Sequence, residues 1–204
     1  SHEIIGPLGQ SVGVCEGIAK AVKVLLDALG VWCVIAICGN NPEKGIKYLI
    51  EAFKQVDTEK KLVIAGGSSD TSEFENEMKE LAKEDKRIIF TGFVQGQELE
   101  ELYSNAYVYA LPSDLEGMPL SLLEAMSYGN CCLVSDIPEC AEVVEDKALI
   151  FKKADVKDLQ SKLQDACDHS EKVDAHKKQA ADFICSKYNW DEIVQATLKL
   201  YRRK

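Results

Sequence analysis

No stretch of this 204-residue sequence approaches the 18 uninterrupted apolar residues of a membrane-spanning helix; the richest early run is only "VWCVIAIC". Basic residues are outnumbered. The net charge of −10 removes the lysine and arginine stripe that general nucleic-acid binding needs. It leaves the binding of a single nucleotide open, because a few backbone N–H groups and one cation suffice locally. Histidine is scarce: His2, His169 and His176 fall at the polar start and in the helical tail. A Ser–His–Asp or Cys–His arrangement and a histidine metal site are therefore both set aside. The eight cysteines form no C-x-x-C pair, and several sit within strand-like apolar runs. Buried free thiols in a reducing cytoplasm are the expectation, ahead of a disulfide framework or a zinc site. There is no internal repeat and no low-complexity linker.

What is present is an ordinary soluble balance, 46% apolar and 28% charged, on a chain long enough for one or two domains with a sizeable core. From residue 32 onward, short apolar runs alternate with amphipathic stretches. "WCVIAIC", "KLVIAGG", "RIIFTGF", "YVYALPS", "CCLVSD" and "ALIF" read as strands. "PEKGIKYLIEAFKQV", "SEFENEMKELAKE", "GQELEELYSNA", "PLSLLEAMSYG" and "ECAEVVED" read as the helices between them. Three more helices close the chain: "DVKDLQSKLQDACDH", "DAHKKQAADFICSKY" and "WDEIVQATLKLYRRK". This order predicts an α/β fold, a doubly wound Rossmann-like parallel sheet, with the C-terminal helices packed back on it. Residues 1–31 fit less well. "GVCEGIAKAVKVLLDALG" reads as a helix closed by Gly30, the segment before it as loop, and Ser1-His2 as either native or a tag-cleavage scar.

Ligands of such folds sit outside the carboxyl ends of the strands. Four turns there carry chemistry. In "CGNNPEKG", Gly39 permits close backbone approach, and Lys44 lies in or next to the first helical turn, the wrong end of the helix dipole for a cation. A bound anion resolves that conflict; a solvated loop lysine is the plain alternative. "AGGSSD" serves a ligand or an ordinary strand exit equally well. "FTGFVQGQEL" offers exposed backbone to a flat base. In "DLEGMPLSLLEAMSYG", Glu116 precedes a helix beginning near Pro119, and Glu124 lies within its first two turns. Two acceptor-only carboxylates at that spacing suit ligand hydroxyls; a helix-capping carboxylate and a surface glutamate are the plain reading.

In this order the turns resemble the donor-binding (C-terminal) domain of retaining GT-B glycosyltransferases of family 4, glycosyl transferases group 1. The likeness runs from Trp32 to Lys204. It rests on the glutamate–seven residues–glutamate motif at Glu116 and Glu124, with support from "PEKGIKYLIEAF", "LVIAGG", "LVSDIPECAEVVED" and "YNWDEIVQATLKLY".

The resemblance implies a catalytic-end role for Glu116, facing the transferred sugar, and a ribose-holding role for Glu124. It assigns Lys44 to the donor diphosphate, Val94 to the base, and Gly117, Met118, Pro119 and Leu120 to the phosphate and sugar. Gly39 and Asn40 lie at the diphosphate turn. There the family usually carries Gly-Arg, and the exchange for Asn40 removes one charge-assisted contact, about 1.5–3 kcal/mol. The donor, a UDP- or GDP-sugar, is substrate rather than cofactor; no metal and no nucleic acid are implied. The implied parent is a cytoplasmic hexosyltransferase of surface-polysaccharide or glycolipid synthesis, at the inner face of the membrane, acting on a glycan or lipid-linked acceptor. A complete enzyme of this class also needs an N-terminal acceptor domain, of which residues 1–31 read as a remnant or linker. The expectation is therefore a donor half that is inactive alone, with Glu116 and Lys44 left in solvent. A non-catalytic nucleotide-binding or structural fragment, or an engineered chimera, is the rival. A nucleotide-sugar 2-epimerase ranks third, since no further catalytic carboxylate or histidine accompanies the two glutamates.

Overall fold

The computed structural model describes residues 33–37, 42–66 and 72–202. The N-terminal helix expected before Trp32, and the turn residues Gly39 and Asn40, lie outside them. The described strands are β1 (Cys33–Ile37), β2 (Lys61–Ala65), β3 (Ile88–Gly92), β4 (Ala106–Leu111), β5 (Cys131–Ser135) and β6 (Leu149–Phe151). They form one sheet in the order β3-β2-β1-β4-β5-β6, every pair parallel. The doubly wound Rossmann-like reading therefore holds.

Burial on both faces explains why these strands read as continuous apolar runs rather than as alternation. All six residues of β4, at the centre, are buried, whereas the edge strand β3 is only half-buried along its length. Alternate side chains still divide between two layers. Val34 and Ala36 of β1, with Cys131 and Leu133 of β5, join a core under α1 (Ile46–Phe53), α2 (Ser72–Ala82) and α6 (Val156–Asp168). On the opposite face, Cys132 and Val134 pack with α4 (Leu120–Ser127), α5 (Pro138–Val144) and α7 (Ser170–Lys187). Cys33 and Ile35 meet Leu102 of α3 (Gln97–Asn105) there. Cys131, Cys132 and Cys140 are buried free thiols and Cys33 is buried too, but Cys185 is exposed. Cys15 and Cys38 lie outside the described residues.

Three expectations need correction. "PEKGIKYLIEAFKQV" is not one helix: Pro42–Lys44 form a 3-10 turn, Gly45 breaks it, and α1 begins at Ile46. Helix α7 starts at Ser170, earlier than Asp174, because His169 serves as the boundary of both α6 and α7. Of the closing helices, α7 packs against α4 and β5. The last, α8 (Trp190–Arg202), does not pack back: every residue from Asp191 to Tyr201 is exposed. Its apolar side chains Ile193, Val194, Leu198, Leu200 and Tyr201 are left exposed, the last two most of all.

Candidate functional site

The sheet order reverses between β1 and β4. The connection from β1 leads to β2 on one side, while β4 feeds β5 on the other, so the loops leaving the two strands diverge and open a crevice. Ile37 ends β1, Leu111 ends β4, Gly66 follows β2, and Phe93 and Val94 follow β3. With Lys44, Glu116, Met118, Pro119, Leu120 and Ser121 they line a cleft of about 390 Å³.

Two loops are locked together to build its polar wall. Gly45 has φ 66°, and a Cβ there would stand 1.9 Å from the Pro112 carbonyl oxygen, so only glycine fits. Two residues earlier, the Glu43 carbonyl accepts the Asp114 N–H at 2.7 Å. The Tyr48 hydroxyl, from the first turn of α1, donates to Asp114 Oδ2 at 3.2 Å. The backbone of 42–45 is thus fixed on that of 112–114, and their next side chains must meet. Lys44 Nζ lies 2.7 Å from Glu116 Oε1. The hydroxyl of Ser113, itself fully buried, donates to the same oxygen at 2.6 Å. Ser135, at the end of β5, donates to the Ser113 carbonyl at 2.5 Å and fixes that turn in place.

The expectation of solvent around these two charges is corrected. The Glu116 side chain is 8% exposed and that of Lys44 28%, because the cation and the Ser113 hydroxyl cover the carboxylate. An ammonium carries three donors and a carboxylate about four acceptor sites. Among the described residues none donates to Glu116 Oε2. The pair can thus still offer a cation to an incoming anion and an acceptor to a hydroxyl. Beneath it, burial and the Glu116 and Glu139 charges push the Cys140 thiol up to about 12, so this sulfur is inert padding.

Glu124 stands apart. It is exposed on the second turn of α4 and is not among the residues lining the cleft. Its Oε2 accepts the Tyr103 hydroxyl at 3.0 Å. Ser121, one turn earlier and on the cleft wall, accepts the Tyr109 hydroxyl at 2.8 Å. Val94 is buried, while Phe93 beside it is 73% exposed, and Met118 and Leu120 are also open to solvent. Gly117 is exposed between Glu116 and Met118, with open space around it. Sequence reasoning placed Lys44, Val94, Glu116, Met118, Pro119 and Leu120 at this site. It passed over the support given by Ser121, Tyr103 and Tyr109. The tyrosines carry no local signal, since each acts within its layer on a helix later in the chain. Among the described residues no cluster of three or more His, Cys, Asp or Glu is placed to hold a metal ion, and no helix is long and apolar enough to cross a membrane.

The sequence pattern described as "Glycosyl transferases group 1" matches residues 34–183. An uncharacterized glycosyltransferase of Methanocaldococcus jannaschii is 30% identical over 168 residues, 78% of this chain and 42% of that protein. The O-antigen chain mannosyltransferase B of Escherichia coli is 26% identical over 166 residues, 79% of this chain and 43% of that protein. The chain therefore spans less than half the length of these curated relatives. Among solved structures, sucrose-phosphate synthase from Thermosynechococcus elongatus superposes with a TM-score of 0.77 at 23% identity, over 89% of this chain and 48% of that one. Anabaena HepE in complex with UDP and glucose gives 0.80 at 18%, over 93% and 53%. At such identities the structures attest the fold alone.

Proposed function

The chain belongs to the glycosyl transferases group 1 family, and from that premise we propose that it is the nucleotide-sugar donor half of a retaining hexosyltransferase. The observation that carries this reading is the Lys44–Glu116 pair, held by two interlocked loops at the carboxyl ends of β1 and β4. A donor diphosphate entering the cleft draws on the free valences of Lys44 Nζ and on the N–H groups at the start of α4. Glu116 Oε2 accepts a hydroxyl of the transferred sugar, and Glu124 accepts the ribose. The base lies against the Val94 backbone, while Gly117, Met118, Pro119 and Leu120 border the phosphates and sugar. In this reading lysine and backbone amides, aimed in advance at the charge that develops on the leaving diphosphate, do the electrostatic work without a metal or cofactor.

The Anabaena structure binds UDP and glucose, and the E. coli relative is an O-antigen mannosyltransferase. The first supports a nucleotide-sugar donor and the second a role in surface-polysaccharide synthesis; we extend this to a UDP- or GDP-sugar donor used on the cytoplasmic side of a membrane. Transfer also requires an acceptor hydroxyl held against the donor carbon, positioning worth about 7–11 kcal/mol of barrier. That platform, for a glycan or lipid-linked acceptor, is assigned to the part of the relatives' length this chain does not span. The 204-residue chain by itself therefore binds donor without transferring its sugar.

Calorimetric titration with UDP, GDP and their sugars, beside a radiolabelled transfer assay, tests this. The expected result is saturable binding weakened at least tenfold by Lys44→Ala, with no transfer. A purified monomer that turns over donor onto an acceptor would refute the donor-half reading. Absence of any nucleotide binding would favour a purely structural module.

A further inference from the structure

Glu124 is an exposed side chain on a helix surface, a poor starting point for a residue that has to meet a ligand in one geometry. An unrestrained glutamate there samples many rotamers and loses that freedom on binding. Its surroundings remove part of the freedom beforehand. Tyr103, on α3, is buried, and its ring stacks on Tyr128 with centroids 5.3 Å apart and planes 19° apart. It also meets the Tyr109 ring at 5.9 Å, tilted by 41°. The Tyr103 carbonyl accepts from Asn130 Nδ2 at 2.9 Å, so backbone and ring are both fixed. The single phenolic proton has two acceptors in reach, Glu124 Oε2 at 3.0 Å and the Ser121 carbonyl at 3.4 Å. The nearer one is charged and takes the stronger bond. Burial, and after it the Glu124 charge, holds the Tyr103 hydroxyl well above the usual phenol range, so it remains a donor at every working pH. Among the described residues nothing donates to Glu124 Oε1.

We propose that Tyr103 is a positioning residue for the donor site: its hydroxyl fixes Glu124 Oε2 and leaves Oε1 presented to the ribose hydroxyls of a nucleoside diphosphate. The inference rests on the reading of Glu124 as the ribose acceptor. Tyr103 itself touches no ligand, and its contribution is confined to ligands that carry ribose hydroxyls.

That confinement makes the test. Tyr103→Phe keeps the stacked ring and removes only the oxygen. UDP, its 2′,3′-dideoxy counterpart and inorganic pyrophosphate are titrated into the 204-residue chain and into the Tyr103→Phe, Glu124→Ala and doubly substituted chains, with GDP and dideoxy-GDP in parallel. The unaltered chain is expected to prefer the hydroxylated nucleotide by about tenfold, the scale of one hydrogen bond to a charged group. Tyr103→Phe should cut that preference about threefold or more. Its affinity for the dideoxy nucleotide and pyrophosphate, and its melting temperature, should be unchanged. In the Glu124→Ala background, Tyr103→Phe should have no further effect. An undiminished preference in Tyr103→Phe overturns the proposal while leaving the ribose reading intact. An equal loss for all three ligands shows a merely structural tyrosine and overturns it too. If the unaltered chain does not distinguish the two nucleotides, the ribose reading fails and takes the proposal with it.

Discussion

Glu116 and Glu124 are separated by eight positions in sequence and live in opposite surroundings. Around Glu116 the chain has no slack. A glycine is forced against the Pro112 carbonyl, a backbone hydrogen bond joins Glu43 to Asp114, and Lys44 and Ser113 share one carboxylate oxygen. The Glu124 side chain makes one hydrogen bond among the described residues, to Tyr103, and is otherwise exposed. The difference follows from position on the fold. Residues 112–116 leave a fully buried central strand, and most of their polar groups are paired before the chain reaches solvent. Glu124 is carried on a helix that satisfies its own backbone, and it needs only to be aimed. The same sequence motif thus sets a rigid electrostatic pair next to an adjustable hydrogen-bond acceptor.

Breaking the rigid side should produce the largest effect. Gly45→Ala sets a Cβ against Pro112 and forces a non-glycine residue to positive φ. Overpacking of about 1–3 kcal/mol and left-handed strain of about 1–2 kcal/mol add to a loss of about 2–5 kcal/mol, read as a fall in the urea midpoint. Next comes Lys44→Met, which leaves the nearly covered Glu116 without its cation. It should cost about 1–3 kcal/mol, and Lys44→Met with Glu116→Gln should cost less than the sum of the two single substitutions. A strictly additive pair would mean the ion pair carries no coupling. On the adjustable side, Glu124→Ala should leave stability within about 0.5 kcal/mol, as exposed positions do, while lowering nucleotide affinity. The smallest effect is expected for Ile193→Ser on exposed α8, which should leave the urea midpoint of this chain unchanged within error.

The sheet was legible because its strands are short apolar runs separated by helical periods, and parallel burial leaves little else for such runs to do. The cleft was legible through its turns: "PEKG" and "DLEGMP" leave neighbouring strands at the point where the order reverses. The locking of those turns was not. That Gly45 meets Pro112, or that Ser135 holds Ser113, depends on contacts across the sheet that no local period encodes. The same limit hid Tyr103, whose helix-surface spacing looks like core packing until Glu124 is placed opposite it. The exposure of α8 was hidden for another reason, since an amphipathic stripe announces a buried face without saying what buries it.

The central claim is that the two glutamates serve different parts of one donor, and paired titrations of UDP and a UDP-sugar test it most directly. Glu124→Ala should weaken both ligands alike, by about 1.5–3 kcal/mol. Glu116→Ala should leave UDP nearly unchanged and remove the extra affinity contributed by the sugar. If Glu116→Ala weakens UDP as much as Glu124→Ala does, the division of labour between the rigid pair and the aimed carboxylate is contradicted.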